Sequence, residues 1–591
     1  MSETTTAGTR ALLSGDEAIA RGAFEAGVRV ATAYPGTPST EILETLAPCP
    51  EVYTEWAPNE KVALEVAIGA SLAGARAICS MKHVGLNVAS DPLMTASYTG
   101  VRGGLVIVSA DDPGMFSSQN EQDNRHYARF AKVPMLEPAD SQEAKDFVTR
   151  AFEISEQFDT PVMVRITTRI AHSKSLVTLG ERVEHEPSGF QRDPAKTTMV
   201  PANARRRHQL VEERTRALAA WAETCDLNRV ERGEKRIGVI ASGVPYQYAR
   251  EVRPRASALK LGLTNPLPAK LIRRFARSVE RLYVVEELDP YLEDQIRAMG
   301  VRLAHASSPP RCGELSPAEV ARLLGARRAS VAAPAADLPP RPPALCPGCG
   351  HRALLTVLKK LKVFVSGDIG CYTLGVQPPL QTMDTCICMG ASIGVALGVE
   401  KATGRSDNMV AVIGDSTFIH SGITPLVDVV YNQGTTTVII LDNETTAMTG
   451  HQAHPATGKT ASGEPTHTLR MEDLARAIGV RHVHVVDPYD IGESERLVRD
   501  ALGRREPTVI IARRRCVLLD RERPRVPRQI DPDKCRGCGI CLGHGCPAIV
   551  DRTPPGRKRK RVEIIAQLCA GCGVCALLCP SQAIKEAPAH G

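Results

Sequence analysis

No stretch of this chain approaches the about 18 consecutive apolar residues that a membrane-spanning helix needs. Its opening residues, MSETTTAGTRALLSGDEAIARG, contain no apolar core of a secretory signal. Neither sign of charge dominates: 73 basic and 66 acidic residues are well mixed and leave a net +7, a balance that does not point to nucleic acid. The expectation is a cytoplasmic protein with no membrane and no nucleic-acid partner. The missing signal also argues against a secreted disulfide framework. With 591 residues, 43% hydrophobic and 24% charged, the composition is that of an ordinary globular protein of several domains.

Cysteine is abundant, and it is concentrated. Of eighteen cysteines, eight lie between Cys535 and Cys579. They form two runs, Cys535-x2-Cys538-x2-Cys541-x4-Cys546-Pro547 and Cys569-x2-Cys572-x2-Cys575-x3-Cys579-Pro580. Soft thiolates in this spacing suit iron–sulfur clusters. In two-cluster ferredoxins three cysteines of one run join the last cysteine of the other. One 4Fe–4S cluster is therefore expected on Cys535, Cys538, Cys541 and Cys579, and a second on Cys569, Cys572, Cys575 and Cys546. Structural zinc would use two CxxC pairs instead. The first run departs from the usual spacing by one extra residue before its last cysteine. Between the runs lies Arg557-Lys558-Arg559-Lys560-Arg561, either a solvated hairpin or an attractor for an acidic electron carrier. Cys49, Cys79, Cys225 and Cys312 stand alone and read as plain thiols.

Apolar runs alternate with helical patterns over residues 1–180, where Leu105–Ser109 and Val162–Ile166 read as buried parallel strands. Residues 181–235 read as a basic connector with one helix. Residues 236–328 restart the α/β pattern with strands at Ile237–Ala241 and Leu282–Val285. The Ala/Pro stretch 329–344 marks a linker. A third α/β unit spans 345–527, and the cysteine-rich module 528–591.

In that third unit Met409–Ile413 reads as a strand running into Gly414-Asp415-Ser416, and Thr437–Leu441 as another ending in Asp442-Asn443. Strand C-termini face the ligand crevice of a doubly wound sheet, so Asp415 and Asn443 are expected side by side. A carboxylate, an amide oxygen and a backbone carbonyl are hard ligands of the kind magnesium takes when it is shared with phosphates.

This pattern resembles the thiamine-diphosphate motif, GDG followed by NN, with Ser416 in place of the last glycine and Asp442 in place of the first asparagine. Further segments are similar to the 2-oxoacid:ferredoxin oxidoreductases, and within them to the alpha subunits of the indolepyruvate branch. These are Cys346-Pro347-Gly348-Cys349-Gly350-His351-Arg352, Asp368-Ile369-Gly370-Cys371, Met389-Gly390, Met448-Thr449-Gly450-His451-Gln452, Tyr34-Pro35-Gly36-Thr37-Pro38-Ser39 and Asn59-Glu60. The resemblance covers essentially residues 10–585.

The resemblance implies an α/β fold: two doubly wound thiamine-diphosphate domains (pyrimidine-binding 1–180, diphosphate-binding 345–527), an intermediate α/β domain like the transketolase C-terminal domain (236–328), and a two-cluster ferredoxin-like α+β domain (528–591). It implies Glu60 as the carboxyl that activates the aminopyrimidine, and Asp415, Asn443 and the Thr445 carbonyl as Mg2+ ligands. Gly390, Gly414 and Ser416 would contact the cofactor, and Thr37 and His451 the substrate. Cys346, Cys349 and Cys371 would hold a third 4Fe–4S cluster, with Cys516 as fourth ligand and Cys386 and Cys388 competing. Lys82-His83 reads either as a substrate-facing pair or as a surface loop. The implied activity is oxidative decarboxylation of an aryl pyruvate, indolepyruvate first, with coenzyme A as cosubstrate and ferredoxin as acceptor. A smaller beta subunit would complete a heterodimer or a dimer of heterodimers. The alternatives are another 2-oxoacid (pyruvate, phenylglyoxylate or a branched-chain acid), a non-redox thiamine decarboxylase, and a non-catalytic electron-transfer subunit.

Overall fold

The computed structural model describes residues 8–304, 311–326, 342–520 and 526–588. Most of the Ala/Pro stretch lies outside them. The chain falls into two compact units, Met1–Pro334 and Ala335–Gly591. No helix among the described residues is long and apolar enough to cross a membrane.

The first unit is built on a seven-stranded sheet in the order Leu263–Asn265, Met135–Leu136, Val162–Thr167, Leu105–Asp111, Ala77–Lys82, Val30–Ala33, Tyr53–Trp56. All neighbours are parallel except the first pair. Runs such as LVIVSAD and VMVRIT are buried along their whole length, as strands covered by helices on both faces must be. Helices Gly15–Glu25 and Ser141–Phe158 pack on one face, and Glu60–Leu72 and Ser90–Thr99 on the other. A four-stranded sheet follows, in the order Arg281–Val285, Glu234–Ala241, Ala256–Lys260, Arg229–Glu231, with only the last strand antiparallel.

The stretch 181–235 differs from a simple connector with one helix. It carries the short helix Pro194–Thr197 and the long helix Pro201–Ala222, and its end is already a strand of the four-stranded sheet. Arg207 and Arg214 are buried and bind the ends of the neighbouring helices through Tyr98 O, Ser97 O and Asp159. The segment is thus packed down by charge-assisted hydrogen bonds.

In the second unit a five-stranded parallel sheet has the order Phe364–Ser366, Met409–Gly414, Thr437–Asp442, Thr508–Arg513, His482–Val486, with apolar cores on both faces. The register pairs Gly414 with Leu441, so the loops that follow both strands leave from one end. The tail is held by two antiparallel pairs, Arg528–Ile530 with Ile584–Glu586 and Ile549–Asp551 with Val562–Ile564.

Candidate active site

Glu60 opens its helix behind the cap Asn59, whose side chain accepts from Val62 N at 3.0 Å. The Glu60 side chain is buried and lies against the backbone of Gly85: a Cβ there would stand 2.5 Å from Glu60 Oε1 and 2.7 Å from its Cγ. A glycine on the facing helix His83–Val88 is what makes room for the carboxyl.

Thr37 lies in a loop tied to the same sheet end. Ser117 Oγ donates to Thr37 O at 3.3 Å, and Lys82 Nζ donates to Ser117 O at 2.7 Å. Lys82 and His83 are buried at the end of Ala77–Lys82, which overturns the surface-loop alternative. The strand end feeds directly into a helix, so the pair turns inward. Burial lowers the Lys82 ammonium to about 8, against the pull of Asp112. It also lowers His83 to about 4, helped by the Lys82 charge, so the ring is neutral. Lys82 joins the Thr37 loop through Ser117, 35 residues away in sequence; no local pattern indicates that contact.

In the second unit Asp415 and Asn443 are adjacent: Asn443 N donates to Asp415 Oδ2 at 3.2 Å. His454 Nε2 lies 3.3 Å from the same oxygen. Burial opposes the charge of Asp415, but His454, Ser416 N–H and His351 hold its carboxyl below the usual range. His351 Nε2 faces Asn443 Nδ2 at 3.3 Å, and burial lowers its pKa to about 4, so a neutral ring accepts this bond. Thr445 N donates to Asn443 Oδ1 at 3.2 Å, and Thr446 Oγ1 donates to Ser416 Oγ at 3.0 Å. Ser416 thus anchors the loop after Asn443. Asp442 is paired elsewhere: Arg513 Nε donates to it at 2.6 Å, and Arg513 Nη2 donates to Glu472 at 2.8 Å. A cationic partner explains why an acid stands there where the motif has an amide.

Gly390 caps helix Ala391–Thr403. Asp368 accepts from Gly390 N and Ser392 N, both at 2.9 Å, and from Ile369 N at 2.8 Å. This ties the Asp368-Ile369-Gly370-Cys371 segment to that helix start. His451 has φ 72° and a buried Nδ1 with no hydrogen-bond partner among the described residues, while Gln452 is bound to Thr449 O at 3.0 Å. His351 and His454 were missed as members of the group. His351 stands inside the quoted CPGCGHR segment and His454 three residues beyond His451, but their convergence is tertiary.

The cysteines form three sets. One cavity, of about 20 Å3, is lined by Cys535, Cys538, Cys541 and Cys579; another, also of about 20 Å3, by Cys546, Cys569, Cys572 and Cys575. These are the crossed sets expected from the two runs. Among the described residues, the His, Cys, Asp and Glu groups whose ligand atoms close to within 4.8 Å of one another are Asp16–Glu41–His172 and Asp123–His126–Asp289, and neither contains a cysteine. A single zinc, with Zn–S of about 2.3 Å, would draw its sulfurs to about 3.8 Å apart, so the wider spacing suits a cluster. Burial, then neighbouring cysteines, pushes Cys575 up to about 12; thiols raised this way become ligands when a cationic core removes their protons.

A third group of cysteines gathers around Cys371. Cys371 is raised to about 12 by burial and then by Cys349, Cys516 and Cys346, so these three lie within electrostatic reach of Cys371. Cys516 N donates to Asn443 O at 3.0 Å. Cys386 and Cys388 lie beside Asp368 instead.

Three family models match stretches of this chain. The family "Thiamine pyrophosphate enzyme, C-terminal TPP binding domain" matches residues 368–512. "Pyruvate flavodoxin/ferredoxin oxidoreductase, thiamine diP-bdg" matches residues 21–223, and "4Fe-4S dicluster domain" residues 528–580. The class is therefore that of thiamine-diphosphate-dependent oxidoreductases with 4Fe–4S clusters. The chain is 41% identical to the indolepyruvate oxidoreductase subunit IorA of Archaeoglobus fulgidus, over 99% of this chain and 98% of that protein. It is 42% identical to the IorA subunit of Methanothermobacter marburgensis, over 98% and 97%. A 2-oxoglutarate synthase subunit KorA of Methanothermobacter thermautotrophicus is 25% identical over 51% of this chain. The chain belongs to the indolepyruvate oxidoreductase subunit IorA family.

Proposed function

We propose that this chain catalyses the oxidative decarboxylation of an aryl pyruvate, indolepyruvate first, with coenzyme A as cosubstrate and ferredoxin as electron acceptor. Thiamine diphosphate supplies the carbanion chemistry of decarboxylation, and the 4Fe–4S clusters supply one-electron acceptors. Glu60, buried and packed against Gly85, would be the carboxyl that activates the aminopyrimidine. Asp415, Asn443 and the Thr445 carbonyl would hold Mg2+ for the diphosphate, and Gly390, Gly414 and Ser416 would contact the cofactor. Thr37, joined to Lys82 through Ser117, would contact the substrate from the first unit, and His451 would be a substrate contact of the second. Cys346, Cys349, Cys371 and Cys516 hold the innermost cluster, and the two crossed tail sets hold the others. A smaller beta subunit completes the enzyme.

The observation that carries this proposal is the hydrogen bond from Cys516 N to Asn443 O. It joins the magnesium loop to a four-cysteine set, which a non-redox decarboxylase would not need. Arg352 bridges onward: it stands near Cys346 and Cys349 as well as Cys546 and Cys572, and it donates to His544 O at 3.4 Å. The inner set therefore neighbours the set on Cys546, Cys569, Cys572 and Cys575.

The test is anaerobic viologen reduction by the purified two-subunit enzyme with coenzyme A, across indolepyruvate, phenylpyruvate, pyruvate and 2-oxoglutarate. Reduction with the two aryl acids is expected. Reduction only with pyruvate or 2-oxoglutarate would overturn the substrate class, and aldehyde release without dye reduction would overturn the redox role. Asp415→Ala should abolish magnesium-dependent cofactor retention and leave the tail's iron in place.

A further inference from the structure

We propose that the basic hairpin over residues 552–561, together with the cysteine loop 535–541 beneath it, is the docking surface for an acidic protein electron carrier. The inference rests on the iron–sulfur assignment above and adds where the electron leaves and what partner chemistry takes it.

The hairpin is clamped by the antiparallel strands Ile549–Asp551 and Val562–Ile564. Two of its cations are neutralised, Lys560 by Asp551 at 2.8 Å and Arg552 by Glu563 at 3.0 Å. Arg557, Lys558, Arg559 and Arg561 have no salt bridge among the described residues and are exposed. The hairpin is held against the cysteine loop by Arg559 and by the backbone of Lys560. Arg559 donates to Cys535 O, and Lys560 N donates to Gly537 O at 3.0 Å. A Cβ on Gly537 would stand 2.4 Å from Arg559 Cγ, and one on Gly539 3.2 Å from Lys560 Cγ. Both glycines have positive φ, 64° and 75°, so the loop is thinned where the basic chain crosses it.

The two tail cavities differ in their walls. That of Cys546, Cys569, Cys572 and Cys575 is closed in part by Gly348, and Gly348 packs against Ala570 and Val517; it faces inward. That of Cys535, Cys538, Cys541 and Cys579 is lined by tail residues alone, among them Arg536 and Ile540. Ile540 is 49% exposed and Cys538 is exposed as well. An apolar residue at the mouth of the outer set, rimmed by unpaired cations, suits a transient redox encounter: small, steered by charge and quickly released. A carrier of opposite charge gains from this rim, and a neutral or basic one does not. On docking, one electron passes from the outer cluster to the oxidised centre of the carrier, and no bond is made or broken.

The test uses the purified holoenzyme with its beta subunit, an acidic two-cluster ferredoxin as carrier, and viologen as a carrier-independent acceptor. The double variant Arg557→Glu/Lys558→Glu is compared with Arg205→Glu/Arg206→Glu, which changes net charge equally on the exposed face of helix Pro201–Ala222. The hairpin variant should raise KM for ferredoxin by roughly tenfold at low salt and flatten its salt dependence. Viologen turnover should stay within about twofold of the parent in both variants. A ferredoxin KM within about twofold of the parent, or an equal rise in the control variant, would overturn the proposal. If the double variant loses iron, Lys558→Gln, which leaves the Arg559 contact in place, decides on the same KM comparison. Absence of viologen reduction in the parent enzyme would instead sink the redox function itself.

Discussion

Gly85→Ala offers a test of the Glu60 role that leaves Glu60 itself unchanged. Gly85 lies in helix His83–Val88, so alanine is locally welcome and gains about 1 kcal/mol of helix propensity. Its Cβ, however, would stand 2.5 Å from Glu60 Oε1, 2.7 Å from Cγ and 2.8 Å from Cδ. Three atoms of a buried side chain must therefore retreat by about 1 Å to reach ordinary contact. A displacement of that size at a reacting group costs on the order of 100-fold in rate, about 2.7 kcal/mol, while the opposing packing and propensity terms leave the fold within about 2 kcal/mol of the parent. The direct assay is hydrogen–deuterium exchange at C2 of bound thiamine diphosphate, quenched and read by NMR, with Glu60→Gln alongside. Both variants should slow exchange at near-parental thermal stability. Parental exchange in both would refute Glu60 as the pyrimidine partner; parental exchange in Gly85→Ala alone would refute the packing that ties the two residues.

Three further outcomes are expected. Cys516→Ser should lower iron by about four atoms per chain, the content of one cluster; unchanged iron would remove Cys516 from the ligand set and reopen Cys386 and Cys388. Arg125 is buried and binds Asp123 at 2.8 Å, Glu286 at 2.8 Å and the carbonyls of Glu287 and Asp289. Arg125→Met would strand two buried carboxylates and cost about 3–5 kcal/mol, read as lost amide-exchange protection of the first unit, and a loss under about 1 kcal/mol would contradict the pairing. His83 has a folded pKa of about 4 against about 6.5 unfolded. Its contribution is whole above pH 6.5 and is lost as pH falls toward 4, by at most about 3 kcal/mol. His83→Gln should flatten that acid limb of the first unit's thermal midpoint, and an unaltered slope would show that the ring does not titrate with unfolding.

Local spacing and strand patterns carried much of this protein into view. CxxCxxC runs encode ligand sets because cysteines a few residues apart must share a loop, and uninterrupted β-branched runs such as MVAVIG and TVIILD must be covered on both faces. Adjacency of those two strands was enough to place Asp415 beside Asn443. Three features needed tertiary structure. The partner that lets Asp442 carry its charge is Arg513, 71 residues away. Leu263–Asn265 leaves its neighbours in sequence to pair with Met135–Leu136 in the first sheet. The inward turn of Lys82 and His83 follows from contacts across loops. Such pairings depend on which distant chain ends a packed sheet brings to one edge, and short-range periodicity holds no record of that.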